Sequence, residues 1–73
     1  MNHYSNRGGN SNVQGYEIGD DFITIYFKKS NKPYTYSYRS ASEYHIEKMK
    51  KLATEGSGLN SYIMLNVKND FER

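Results

Sequence analysis

Two histidines, ten basic residues and eight tyrosines are the side chains of this 73-residue chain best suited to chemistry. Nucleophilic catalysis needs a base held against a Ser or Cys. The chain has no Cys, and its histidines are His3, in a polar N-terminal stretch, and His45, in a segment of helical pattern. A serine would have to recruit His45 and a carboxylate in a geometry that no spacing here supports. His45 lies beside an apolar stripe, where a half-buried structural histidine is the plainer reading. Asp20-Asp21 offers two cation ligands, but no third or fourth follows at a suitable spacing, and a polar β-turn accounts for the pair. "GSGLN" at Gly56–Asn60 lacks the lysine and the preceding strand of a phosphate loop and reads as a linker between helices. No catalytic residue, metal site or cofactor is expected, so the chain is not expected to be an enzyme.

The basic residues are distributed unevenly. Between Lys28 and Lys51 there are seven, against two acidic residues, while the rest of the chain is net acidic. Lys28, Lys29 and Lys32 fall around one expected hairpin tip, Arg39 ends the same sheet, and Lys48 and Lys51 stand one helical turn apart. Such a patch attracts a phosphate backbone in a salt-dependent way, and a single strand also wants an aromatic ring to stack on. Tyr26 would supply that ring. The candidate RNA-binding set is therefore Tyr26, Lys28, Lys29, Lys32 and Arg39, with Lys48 and Lys51 at its margin. Lysines also keep an edge strand and a helix soluble, and that reading stands beside the RNA one.

These residues must be positioned by a small domain. Apolar residues make up only 36% of the chain, so its eleven Tyr and Phe rings must carry much of the core. Residues 1–12, mostly Asn, Ser and Gly, are expected to form a flexible tail. They have no apolar run of the kind found in a signal peptide or membrane anchor, and a monomer in the cytoplasm is expected. The domain should span residues 13–67, with 68–73 frayed. "NVQGYEIGDD" reads as a short strand followed by a turn, "FITIYFKK" as the clearest strand, and "YTYSY" as a third strand. With Ser30-Asn31 as a two-residue turn, Phe27 pairs with Tyr34, Ile25 with Tyr36 and Ile23 with Tyr38. That register puts Tyr34, Tyr36 and Tyr38 on the apolar face and Thr24, Tyr26, Lys28, Thr35, Ser37 and Arg39 on the opposite one. Ser40 with Glu43 forms an expected capping box, Ser42 being the rival cap. The helix then carries His45, Ile46, Met49, Leu52 and Ala53 on its inner stripe. A second, shorter helix holds Leu59, Tyr62, Ile63 and Val67. The expected class is α+β: a three-stranded antiparallel meander followed by two helices on one face, in the order β-β-β-α-α.

Tyr16, "ITIYF", the Tyr-x-Tyr of Tyr34–Tyr36, and then Ala53, Gly56, Asn60 and Ile63 resemble the pattern of KTSC domains over about residues 12–67. That family is named after a C-terminal domain of some lysyl-tRNA synthetases and also occurs as small bacterial proteins. The turn before Tyr34 lacks the family's Gly, "RSAS" replaces its Val-Pro, and Ala53 to Gly56 is one residue short. Met64 stands where a basic residue commonly follows the Ile. The resemblance implies RNA binding, to single-stranded or structured RNA. The alternative is a protein-interaction module, encoded by a phage or mobile element, that engages a bacterial host protein through the edge strand Pro33–Tyr38.

Overall fold

The β-branched and aromatic run Phe22–Phe27 forms the central strand, β3. In the computed structural model, which describes residues 1–7 and 12–72, β3 pairs antiparallel with β2 (Val13–Ile18) and with β4 (Tyr34–Ser37). A fourth strand, β1 (Asn2–His3), pairs with the outer side of β2, giving the order β1-β2-β3-β4. Helices α1 (Tyr38–Ala41), α2 (Glu43–Glu55) and α3 (Leu59–Tyr62) follow, and α3 runs into a π-helical turn, Ile63–Val67. The class is α+β, with four strands rather than three and an extra short helix before the main one.

The hairpin register differs from the expected one by two residues. Ile25 pairs with Tyr34 and Ile23 with Tyr36. Neither Ser30 nor Asn31 takes the positive φ that a primed two-residue turn requires. The chain instead makes a wider loop over residues 28–33, in which the Ser30 N–H donates to the Phe27 carbonyl at 3.2 Å. Pro33, without an N–H, stays outside the ladder. Because side chains alternate with a period of two, a two-residue shift leaves the residues that stay in β3 and β4 on their expected faces, while Lys28, Tyr38 and Arg39 leave the sheet. Ile23, Ile25 and Tyr36 are buried against the helices. The Thr24 and Thr35 hydroxyls meet at 2.8 Å on the other face.

Tyr38 does not extend β4. It opens α1, which Ser37 and Ser40 cap reciprocally: the Ser40 N–H donates to Ser37 Oγ at 3.1 Å and the Ser37 N–H to Ser40 Oγ at 3.0 Å. The box expected between Ser40 and Glu43 is thus replaced by one three residues earlier. Ser42, the rival cap, starts α2 by accepting from the His45 N–H at 3.5 Å. Ile46, Met49 and Ala53 of α2 are buried with Leu59, Ile63 and Val67, and Gly56 ends α2 in the left-handed conformation.

Two terminal expectations are corrected. Residues 2–4 are not a loose tail: Tyr4 is 1% exposed, and its hydroxyl accepts the Leu59 N–H at 3.2 Å. The Arg7 N–H reaches the Gly56 carbonyl at 2.7 Å, so the N-terminal segment ties the edge of the sheet to the corner between α2 and α3. One buried ring and several main-chain hydrogen bonds outweigh a polar composition here. Residues 8–11 of the expected tail lie outside the described residues. Nor is 68–72 frayed. Phe71 packs edge to face on Tyr34 and Tyr36, and the Glu72 N–H donates to the Thr35 carbonyl.

Candidate nucleic-acid interface

The loop between β3 and β4 carries Lys28, Lys29 and Lys32, all exposed. None of their ammonium groups makes an ion pair among the described residues. The Lys28 backbone N–H donates to the Asn12 carbonyl at 2.8 Å, which anchors the start of the loop while its side chain stays in water.

The remaining candidates do not join this loop. Tyr26 is half-buried on the polar face, where its hydroxyl donates to the Glu17 carboxylate at 2.5 Å. That hydrogen bond, with lesser help from burial and from the Glu17 charge, raises the phenol's pKa. A carboxylate at the ring's hydroxyl opposes an approaching phosphate, so the polar face is a poor platform for RNA. Arg39 lies in α1, beyond the end of β4 away from the loop, and pairs with Glu72 at 3.1 Å. The Glu72 carboxylate also accepts from Ser37 Oγ, and these two hydrogen bonds, Ser37 first, lower its pKa. Lys48 and Lys51 are exposed on α2, which covers the face of the sheet opposite Tyr26. The seven expected residues therefore fall into separate groups: the three loop lysines form one group without an ion pair among the described residues, and Lys48 with Lys51 form another on α2.

Beside that cluster lies a groove of about 430 Å³ on the helix side of the sheet, between the loop and the turn that follows Val67. Phe27, Tyr34 and Phe71 line it, with Lys29 and Lys68. Phe27 and Tyr34 meet at 5.6 Å between centroids and 70° between planes, Tyr34 and Phe71 at 4.8 Å and 85°. Tyr36 forms part of the floor and is 2% exposed. Burial, with smaller contributions from Tyr34 and Asp70, pushes its phenol up to about 12. The aromatic ladder is thus divided: Tyr36 is core, whereas Tyr34 stands half-buried where the core opens. Lys68 and Phe71 were missed from the sequence because they lie in a polar terminal stretch without periodicity. The only signal there was Phe71, a lone large ring among polar residues.

Other polar clusters are structural. His45 Nδ1 lies 2.7 Å from the Tyr62 hydroxyl, fixing the ring between two helices. Lys50 donates to Glu47 at 2.9 Å and to the Asp20 carbonyl at 3.0 Å, and Glu47 also accepts from the Tyr38 hydroxyl. Among the described residues no three His, Cys, Asp or Glu side chains group as metal ligands, and no helix is long and apolar enough to cross a membrane. No protein-family model, curated protein or solved structure matches the chain.

Proposed function

We propose that the protein is a monomeric, non-enzymatic module that binds single-stranded RNA in the cytoplasm, with the contact centred on the β3–β4 loop. The observation that carries this reading is the trio Lys28, Lys29 and Lys32, held on one short loop with no acidic partner among the described residues. Unpaired lysines on a common loop can follow a flexible phosphate chain, and no ion pair has to be broken before they do. The KTSC resemblance points the same way.

Strand addition to β4 by a protein partner is less well supported. The Thr35 carbonyl already accepts the Glu72 N–H, so part of the edge a partner would need is occupied. Binding of a short single-stranded RNA, followed by fluorescence anisotropy across a salt series, tests the RNA reading. Affinity should be measurable at low salt and fall steeply as salt rises, and Lys28→Glu with Lys29→Glu should abolish it. No binding at low salt, or binding indifferent to that double substitution, would overturn the proposal.

A further inference from the structure

We infer that the groove between the β3–β4 loop and the turn after Val67 is a nucleobase subsite, holding one base of a bound single strand with flanking phosphates on Lys29 and Lys68. This rests on the RNA reading and moves its aromatic component from Tyr26 to Tyr34 and Phe71. Three observations carry it. The groove, at about 430 Å³, falls in the range of small-ligand pockets and exceeds the size of one base. Tyr34 and Phe71 are each only half-buried where they line the groove, so part of both rings is open to it. Lys29 enters from the loop and Lys68 from the C-terminal turn, and no carboxylate lines the groove among the described residues.

A flat apolar site rimmed by two cations from opposite sides fits a ligand that is itself flat and apolar with anionic flanks. A nucleotide within a strand has that form. A neutral peptide would leave both lysines unmatched, and a peptide of acidic residues alone would leave the rings uncovered. Asn12, also in the lining, places an amide that can read a base edge. Asp70, close enough to Tyr36 to raise its pKa, sets a limit: it disfavours a phosphate near the floor and leaves the rim to the lysines.

The test compares short oligouridine and oligoadenosine with an abasic sugar–phosphate oligomer of the same length, by anisotropy at one low salt concentration. The base-containing oligomers should bind about tenfold more tightly than the abasic one. Tyrosine fluorescence, free of any Trp background, should be quenched by the former only. Lys68→Gln, an exposed substitution that leaves the core untouched, should weaken both RNA oligomers several-fold. Tyr34→Leu should bring RNA affinity down to that of the abasic oligomer, with near-wild-type circular dichroism checking its fold. Equal binding of abasic and base-containing oligomers, with no effect of Lys68→Gln, would overturn the subsite while leaving loop-centred RNA binding intact. Absence of RNA binding by the wild-type protein would overturn both.

Discussion

Gly56 accepts no side chain for two separate reasons. Its φ is +80°, which costs an L-residue about 1–2 kcal/mol, and an added Cβ would lie 2.6 Å from Ser5 Cβ. Gly56→Ala should therefore lower stability by about 2 kcal/mol or more, read from urea unfolding. Adding Ser5→Gly should recover part of the loss, because only the contact and not the φ cost is relieved. Tyr36 makes a pH prediction. Its phenol ionises near 10 in an unfolded chain and at about 12 in the fold, chiefly because it is buried. The folded state keeps a proton that the unfolded state releases, so this contribution to stability is complete below pH 10 and disappears as pH rises to about 12. Denaturation followed over that window should be less pH-dependent in Tyr36→Phe than in the wild type. Some dependence should persist, since Tyr38, hydrogen-bonded to Glu47, is also raised to about 12. That Tyr36 belongs to the core was legible in its place beside the isoleucines. That Tyr34 lies at a groove was not, because nothing in the alternation of "YTYSY" says where the helix cover stops.

At the scale of elements, alternation fixed the faces of the sheet even though the turn was misjudged, since an error of two residues is silent in a period of two. The inner stripe of α2 was equally legible in Ile46, Met49 and Ala53. The break between α1 and α2 was not, because it depends on a conformation that serine rarely adopts. Ser42 has φ 80° and ψ 150°, a region nearly confined to glycine and costing roughly 1–3 kcal/mol. Its return as an N-cap is a single long hydrogen bond to the His45 N–H, and glycine is only a few tenths of a kcal/mol worse as a cap. Glycine also frees the unfolded chain by ~0.5–1 kcal/mol, which subtracts from the relief. Ser42→Gly should consequently stabilise the protein by up to about 1 kcal/mol, seen as a higher urea midpoint. A lower midpoint would mean that the cap outweighs the strain. β1 and the C-terminal segment escaped sequence reading for a shared reason. Both are held by main-chain hydrogen bonds, which every residue type can make, and by one or two side chains whose partners lie more than thirty positions away in the sequence.

Among the described residues, three lysines without an ion pair gather at one end of the β3–β4 hairpin, while Lys48 and Lys51 stand apart on α2, and the salt dependence of RNA binding belongs to this scale. If three loop lysines each neutralise one phosphate, the logarithm of affinity should fall with the logarithm of salt at a slope of about 2. Engagement of Lys68 should steepen that slope, and Lys68→Gln should reduce it by about 0.7. Half of this site was visible in the sequence, as "KKSNK". The other half is built from residues some forty positions further on, brought there by the path of the chain after the π-helical turn. No local pattern encodes that meeting.

The contact between Tyr4 and Leu59 also has a consequence for synthesis. The Tyr4 hydroxyl accepts from a backbone N–H 55 residues later, and the Arg7 N–H donates to the Gly56 carbonyl. Chains emerge from the ribosome N-terminus first. Asn2–His3 meets its strand partner β2 early, but the Tyr4 hydroxyl waits for its donor until Leu59, nearly the whole domain later, is out. A waiting segment of small polar residues with one aromatic ring offers little for premature association to grip. The composition that disguises β1 as a tail also keeps it harmless until Tyr4 finds that donor.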